Sequence, residues 1–553
     1  MALTALRAAA ALVIGAVVAG SGFAAVAPAA AADNGNPASV AIVMPLTVPI
    51  ATGSFIDAPT LAESTTPGGA LYDDLDAVIN REVTLGIDPM VIASIRVLGN
   101  TAPPSALSWL DRLRAATNET FELGYADADL TGPLQAGRRS VVTPSSLDFA
   151  LDPANFTDVP AVDPQDPNPT ADPEGEAPTL PTTAELFSWD YTISAIAWPR
   201  ADSVVERDMR ILEASNYDTT ILSSKNVTRT RGSSAYAEVD DRQVYVADET
   251  VSSLLSSALD SGSDAAWQSS MDAIGSAVAS FSQRALGTSM VLTLDRDTAI
   301  PAERLADSID FIADLDEAKI VGLSLIATTG SHEAALVDQP QSKSRVALVK
   351  RILVAEGLDR RFATVAETPK LITGERRLQL LVALSAGAET QDGGWSVATS
   401  QFLDDSVTLR NTVRLVQSSR NLLTADRGFI YVSIDNDLDQ AVTVYVSLQP
   451  SLPLVSVEDE NVAVTIEPGA QGKATVPVQS LSNGTVDIAV SLRTPNDDRV
   501  GTTSHVQVDV RAGWEGPVTI VLAILVVLLF AFGIFRTVVK RRRANRAEDV
   551  ASE

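Results

Sequence analysis

Six acidic side chains that follow short apolar runs are the residues of this sequence whose types and spacing could do chemistry. They are Asp88 after VTLGI, Asp127 and Asp129 in GYADADL, Asp248 and Glu249 after VYVA, and Asp295 after VLTL. Two carboxyl groups that face each other across one cavity could act as acid and base on a glycosidic bond. These six residues are therefore the candidate catalytic residues.

The same residues have a structural interpretation. A residue at the end of a strand is also the N-cap of the next helix, where Asp is favoured because its oxygen accepts backbone N–H groups. Asp88 precedes Pro89, a residue suited to the first helical turn, and the Asp248–Glu249 pair places acids where the helix dipole favours them. Capping is the preferred interpretation of any single one of the six. The doublet Asp127 and Asp129 fits it least well.

The candidate ligand-binding residues are Trp198 and Arg200, in the Trp-Pro-Arg segment after the fourth apolar run. A ring at this place could stack on a sugar, and packing in the core is the alternative. The sequence has no GxSxG, no GxxxxGK[ST] and no convincing dinucleotide fingerprint. It has no cysteine and only two histidines, so thiolate and histidine-rich metal sites are excluded. We therefore expect no metal and no cofactor.

Alternating β-rich and helix-like segments must position these candidates. The helix-like segments include an apolar stripe formed by Trp267, Met271, Ile274, Val278 and Phe281. About eight strand–helix units predict a parallel α/β fold, a closed or nearly closed TIM-like barrel over residues 38–330. An open doubly wound sheet is the alternative, because strand order cannot be read from one sequence. The β-rich runs are Val40–Met44, Val83–Ile87, Phe121–Tyr125, Ile193–Ala197, Thr219–Leu222, Val244–Ala247, Met290–Leu294 and Ile320–Leu325.

Two further regions interrupt or follow this pattern. Residues 151–183 are rich in Asp, Glu and Pro and lack Lys and Arg, which predicts a disordered acidic insertion. A docking loop or a calcium-attracting loop is the alternative function of that insertion. Residues 331–410 predict helices that complete or flank the barrel, one ending near Gly357 and one running from Pro369 to Leu384.

The last hundred or so residues before the predicted span have a different period. Residues 411–512 contain seven short runs of alternating apolar and polar residues, separated by turn signals such as Asn483-Gly484 and Pro468-Gly469. This pattern predicts an immunoglobulin-like β-sandwich.

Both ends of the chain carry membrane signals. Residues 1–32 resemble a secretory signal peptide, with an apolar run followed by small residues from Ala27 to Ala32. Gly516–Phe535 has no charge and is about as long as the ~20 residues that span a bilayer. Residues 536–553 form a basic tail that begins with Arg536 and Lys540–Arg543. The sequence therefore predicts a single-pass cell-membrane protein with its N-terminal portion outside and its tail in the cytoplasm.

The charge of the chain limits its partners. Lys and Arg number 41 and Asp and Glu number 70, which gives a net charge of −29. Several basic residues belong to the tail, so the outer portion is more acidic still. Such a surface repels polyanions, and nucleic acid is excluded as a partner.

Several segments of the sequence together resemble a known family. The signal peptide, VTLGIDP, FELGYADADL, AIAWP, VYVADETVSSLL, IDNDLDQAVTVYVSL, TVPVQSLSNGTVDIAVSL, the single span and the basic tail together resemble an uncharacterised actinobacterial family of secreted, membrane-anchored proteins. Its members are commonly encoded beside the flippase that exports the lipid-linked peptidoglycan precursor. The resemblance implies a role in the cell envelope, with peptidoglycan, its lipid-linked precursor and the flippase as partners.

The barrel also resembles carbohydrate deacetylases and glycoside hydrolases distantly. Only Asp88 matches the strand-end motifs of the deacetylases, and their paired histidines are missing. Two functions remain from the sequence. The favoured one is a non-catalytic protein that binds a glycan or scaffolds cell-wall synthesis, and the alternative is a metal-independent glycosidase that uses two strand-end carboxylates.

Overall fold

A computed structural model describes residues 37–157, 179–229, 233–283, 289–296, 301–387, 394–416, 421–511 and 515–548. The predicted signal peptide and most of the predicted acidic insertion lie outside these ranges. Strands and helices are numbered in chain order through the described residues.

The N-terminal part of the fold is mixed α/β. Its strands are β1 (Ala38–Leu46), β2 (Val83–Ile87), β3 (Thr120–Glu122), β4 (Ile196–Ala197), β5 (Thr219–Ser223), β6 (Val227–Thr228), β7 (Tyr236–Val239), β8 (Arg242–Ala247), β9 (Ser289–Thr293), β10 (Ala318–Ile320) and β11 (His332–Leu336). Its helices are α1 (Ala58–Ser64), α2 (Ala70–Val78), α3 (Pro89–Val97), α4 (Pro104–Ala115), α5 (Thr131–Gln135), α6 (Thr183–Phe187), α7 (Glu206–Ala214), α8 (Glu249–Leu259), α9 (Asp264–Ser282), α10 (Ala302–Ala313) and α11 (Leu323–Ala327).

The C-terminal part begins with three helices, α12 (Lys343–Phe362), α13 (Pro369–Ala383) and α14 (Gly394–Arg410). Its strands are β12 (Val413–Leu415), β13 (Asn421–Leu423), β14 (Arg427–Asn436), β15 (Val442–Pro450), β16 (Val455–Val457), β17 (Val462–Ile466), β18 (Gln471–Ser480), β19 (Gly484–Arg493) and β20 (Arg499–Val510). The last helix is α15 (Glu515–Glu548).

Seven strands of the N-terminal part form a curled parallel sheet. Their order is β3-β2-β1-β9-β8-β5-β4, and a further parallel strand, β10, pairs with the first residues of β1. Except for β1 and β9, neighbours in this order follow one another among these parallel strands of the chain. The two edges of the sheet approach each other, because the Ile193 N–H donates to the Thr120 carbonyl at 2.9 Å. β7, β11 and β6 extend the sheet from β8.

Residues of β1 show how this sheet is held on both faces. Val40, Ile42 and Met44 pack against the surrounding helices, whereas Ala41 and Val43 face a second core on the inner side of the curl. Alternate side chains of one strand point to opposite faces, so a strand buried on both faces must be apolar throughout. This explains why the β-rich runs of the sequence predict the strands well.

The prediction of an eighth strand over Ile320–Leu325 is wrong for most of that run. The structure ends β10 at Ile320 and continues Leu323–Ala327 as helix α11, whose Leu323 and Ile326 pack into the inner core. The Leu323 N–H donates to Thr84 Oγ1 at 3.0 Å and the Ser324 N–H to Glu119 Oε2 at 3.0 Å, which caps this helix. A short apolar run that is buried on all sides has no readable period, so the sequence could not separate helix from strand.

The C-terminal strands form two sheets around one core. One sheet has the order β12-β14-β18-β16 and the other β13-β20-β19-β15-β17. All seven alternating runs of the sequence form strands here, and β13 and β16 are additional. β20 pairs with β19 from Val510 to Arg499, and four residues separate its end from α15.

The segment between α12 and α13 joins the two parts of the fold. Phe362, Val365 and Ala366 pack into the core of the C-terminal sheets, and the Glu367 N–H donates to the Ala441 carbonyl at 2.9 Å. Other residues of α12 and α13 pack into the N-terminal core. Helix α12 also continues past Gly357, where the sequence predicts its end. The helices therefore bridge two cores rather than flanking one.

A buried ion pair links these helices. Arg376 of α13 bonds Asp359 of α12 at 2.9 Å, and their side chains are 5% and 1% exposed. Asp359 also accepts from Ser406 Oγ and lies 3.3 Å from Arg410 Nε, both on α14. One carboxylate therefore ties three helices together.

Candidate functional site

Residues that follow β2, β3, β4 and β9 come together at the carboxyl end of the curled sheet. They are Asp88, Asp127, Trp198 and Arg296. Two of the six candidate acids, Asp88 and Asp127, belong to this group. The structure therefore brings together fewer of the candidate acids than the sequence predicts.

Asp88 is the N-cap of α3. Its Oδ1 accepts from the Met90 N–H at 2.8 Å and from the Ala126 N–H at 2.9 Å. Ala126 and Asp127 have φ of 57° and 46°, a left-handed turn that directs this part of the chain at Asp88. Burial is the main cause that raises the pKa of Asp88 well above its ordinary value of 3.8; the Met90 hydrogen bond opposes this, and the Asp127 charge adds to it.

Asp127 is held by an arginine that the sequence analysis missed. Arg296 Nη1 donates to Asp127 Oδ1 at 3.0 Å, and the two side chains are 9% and 5% exposed. The same guanidinium donates to the Trp198 carbonyl and lies 4.3 Å from the centre of the Trp198 ring. Its position directly after Asp295, just beyond the end of β9, is the signal in the sequence that could have indicated it.

Asp129 does not join this pair. Its Oδ1 accepts from the backbone N–H groups of Thr131 and Gly132, both at 3.0 Å, and its Oδ2 accepts from Gln341 Nε2 at 2.7 Å. Arg345 Nε lies 3.5 Å from the same Oδ2. The N-cap of α5 is Leu130 rather than Asp129, so Asp129 is held by the first N–H groups of the helix together with Gln341 and Arg345. Capping alone does not explain the doublet, as the sequence suggested.

Asp248 and Glu249 serve the start of α8. Asp248 Oδ1 accepts from the Thr250 N–H at 3.1 Å and from the Val251 N–H at 3.2 Å, which makes it the N-cap. Glu249 Oε1 forms an ion pair with Lys225 at 2.8 Å. Lys225 also lies 3.3 Å from Asp202. Neither acid of this pair has a described contact with Asp88 or Asp127.

Asp295 and the two ligand-binding candidates lie at the same edge. Asp295 is exposed, and Trp198 and Arg200 are half-buried. The Arg296 guanidinium covers the Trp198 ring, and Phe121 lies on it at 6.0 Å between ring centres. The Trp198 ring is thus engaged within the protein, as the core-packing interpretation predicts.

The chemistry available at this site is limited by access. A carboxyl with a raised pKa beside a second, arginine-paired carboxylate has the composition of an acid and base pair. However, Asp88 is 1% exposed and its oxygen already accepts two backbone N–H groups. In the described ranges, no group of three His, Cys, Asp or Glu side chains is arranged to hold a metal ion. The arrangement favours structural roles for these carboxylates.

One family matches the sequence of this chain. A family described as "Family of unknown function (DUF6049)" matches residues 30–546. No curated protein matches the chain.

Solved structures show only distant likeness. Escherichia coli alpha-2-macroglobulin is 20% identical over 18% of this chain and 7% of its own, with a TM-score of 0.16. WR4, an MSP family member of C. elegans, is 9% identical over 18% of this chain and 98% of its own, with a TM-score of 0.14. The 4-alpha-glucanotransferase of Thermococcus litoralis is 9% identical over 83% of this chain and 85% of its own, with a TM-score of 0.41. This chain thus spans a small fraction of the macroglobulin, and none of these values supports an argument about function.

Proposed function

The chain belongs to the family of unknown function DUF6049, which matches nearly all of it, and on that premise we propose a function from its own geometry. It is a cell-envelope protein, anchored in the cell membrane by one span, whose outer portion binds a glycan or scaffolds partners without catalysing a reaction. Peptidoglycan, its lipid-linked precursor and the flippase that exports the precursor are the partners that we propose.

One observation carries the non-catalytic part of this proposal. Asp88 and Asp248 cap helices, Asp129 accepts two backbone N–H groups at the start of α5, and Asp127 and Glu249 form ion pairs. A catalytic carboxyl must be free to exchange a proton with a substrate or to attack it. These five groups are instead bound to the protein itself, which supports binding or scaffolding over hydrolysis.

We also infer a finer description of the fold. The successive order of the seven parallel strands, with β9 beside β1 and the Thr120–Ile193 contact between the two edges, supports a TIM-like barrel with one seam. Two sheets of mostly antiparallel strands around one core support an immunoglobulin-like sandwich next to the membrane.

The anchor rests on α15. Val518–Arg542 of this helix is long and apolar enough to cross a membrane, the one such helix in the described part of the chain. Its apolar side chains are exposed, which suits contact with lipid. The basic residues after the apolar stretch support a cytoplasmic location for that end.

Reporter fusions test this orientation. A periplasm-active enzyme fused after Ala512 is expected to be active, and a cytoplasm-active reporter fused after Ala547 is expected to be active as well. The reciprocal fusions serve as controls and are expected to be silent. A cytoplasmic signal at Ala512 would contradict the proposed topology.

The binding function is tested with the full chain in detergent. We expect it to sediment with insoluble peptidoglycan or to co-purify with the flippase, and to release no soluble product from peptidoglycan fragments or lipid-linked precursor. Absence of both associations would reject the proposal.

A glycosidase is the second candidate, and the raised pKa of Asp88 next to Asp127 favours it. If it is correct, the wild-type chain cleaves a glycan and Asp127→Asn abolishes the cleavage, since an amide neither donates a proton nor attacks. Asp57→Asn, at an exposed helix N-cap outside the six candidate acids, is the matched control. Cleavage that disappears in Asp127→Asn while the melting temperature is unchanged would establish the enzyme.

A further inference from the structure

A cavity of about 240 Å³ opens beside the end of β3, at the seam of the curled sheet. Its lining includes Glu122 of β3, Tyr125, Phe187 at the end of α6 and Tyr217 before β5. Apolar residues complete it, among them Leu130 and Leu381. Pockets for drug-sized ligands measure roughly 300–1,000 Å³, so this cavity fits the end of one chain rather than a whole molecule.

The charged residues that line the cavity are all acidic. Its lining contains two carboxylates, Glu122 and Asp129, and no Lys or Arg. Asp129 is fully engaged by the start of α5 and by Gln341. Glu122 has no ion pair with any described residue. Desolvation by burial raises its pKa, although part of its side chain reaches solvent. A bound cation would offset this desolvation.

Three aromatic side chains also line the cavity. Tyr125 and Phe187 pack edge to face, with ring centres 5.8 Å apart. Burial and, to a lesser extent, the Glu122 charge raise the pKa of Tyr217 to about 12, so this ring stays neutral near pH 7. Tyr217 and Glu122 line the same cavity. Neutral aromatic rings attract cations through their negative faces, and the attraction is stronger where water is excluded.

We propose that this cavity binds a primary ammonium group at the end of an aliphatic chain, as carried by a lysine-type side chain of a peptide. Glu122 accepts hydrogen bonds from the ammonium, and the aromatic and aliphatic walls hold the methylene chain. This ligand chemistry goes beyond the proposed function, which names no binding site.

A pair of small probes tests the ammonium directly. Nα-acetyl-lysine amide carries the charge, and Nα,Nε-diacetyl-lysine amide is its neutral counterpart. Binding to the full chain in detergent is measured by ligand-observed NMR titration. We expect the charged probe to bind at least about tenfold more tightly than the neutral one, because hydrogen bonds to charged groups are stronger than those between neutral groups.

Variants assign the binding to the cavity. Glu122→Gln is expected to weaken the charged probe about tenfold or more while leaving the neutral probe unchanged. Tyr217→Leu is expected to weaken the charged probe as well. Glu303→Gln, at an exposed glutamate of α10, is the matched control and is expected to have no effect. Equal affinity for the two probes, no detectable binding of either, or unchanged binding in Glu122→Gln would overturn the proposal.

This test is separate from that of the proposed function. Association with peptidoglycan or the flippase that persists in Glu122→Gln, together with failure of the lysine probe, would overturn the ammonium site alone.

Discussion

Asp88→Ala is expected to lower the free energy of unfolding by about 1–3 kcal/mol for each buried N–H that it leaves unsatisfied. Two such groups, on Met90 and Ala126, donate to the Asp88 carboxylate. Asp88→Asn keeps an oxygen that can accept both bonds, and it is expected to cost little. Urea denaturation of the two variants and the wild type measures the difference.

The pH dependence of the same pair follows from the raised pKa. Because the folded-state pKa of Asp88 lies above its ordinary value of 3.8, the unfolded chain loses this proton first as the pH rises. The wild type therefore loses stability between pH 3.8 and the raised pKa, whereas Asp88→Asn has no proton to lose there. The stability of Asp88→Asn relative to wild type should rise over that window and stay level below it.

Asp57→Ala is the matched control for the alanine variant. Asp57 also caps a helix with Pro in its first turn, and its Oδ1 accepts from the Thr60 N–H at 2.8 Å. Asp57 is exposed, so water can replace the lost bond and the loss should be smaller than at Asp88. Equal losses at the two positions would contradict the structural role assigned to the burial of Asp88.

Arg376→Met is expected to lower the free energy of unfolding by about 3–5 kcal/mol, because it leaves the buried Asp359 carboxylate without its main partner. The guanidinium also donates to the Phe402 carbonyl at 2.9 Å and lies 4.0 Å from the centre of the Phe402 ring. Thermal unfolding followed by circular dichroism measures the loss. Removing both charges, in Arg376→Met with Asp359→Leu, should recover much of it.

An exposed pair provides the comparison for this variant. Arg210 Nε lies 3.5 Å from Glu206 Oε1 on α7, and the two side chains are 57% and 62% exposed. Arg210→Met should change the stability far less, since solvent screens that pair. A melting temperature of Arg376→Met equal to that of the wild type would show that the ion pair adds no stability.

The sequence predicts most of the strands, because continuous apolar runs mark strands buried on both faces and a period of two marks the strands of the C-terminal sheets. The third run, Phe121–Tyr125, extends beyond its strand, since β3 ends at Glu122. β2 (Val83–Ile87) coincides with its predicted run, and the alternating runs after residue 411 all form strands. The failures occur where long-range contacts decide the structure. Thr84 and Glu119, far from Leu323 in sequence, turn the eighth apolar run into a helix. Gly357 does not end α12, because the packing of that helix outweighs the modest penalty of one glycine.

The candidate site was less accessible to sequence reasoning. The capping roles of Asp88 and Asp248 follow from their place before a helix, and the structure confirms both. The partner of Asp127 could not be found in this way, because Arg296 lies 169 residues away in the chain. Glu122 was also missed, since it lies inside the third apolar run, where the charge of a single residue reveals neither a cavity nor the absence of a partner.

The pairing of β20 has a mechanical consequence for a protein held by its C-terminal end. Tension on α15 passes through four residues to Val510 and then acts along β20. β20 is bonded to β19 over most of its length, and its last residues are also bonded to β13. A pull along the strand loads these hydrogen bonds in shear, so many must break together rather than one after another. If α15 anchors the chain as proposed, these two sheets would therefore resist a pull on the C-terminal end through many hydrogen bonds at once.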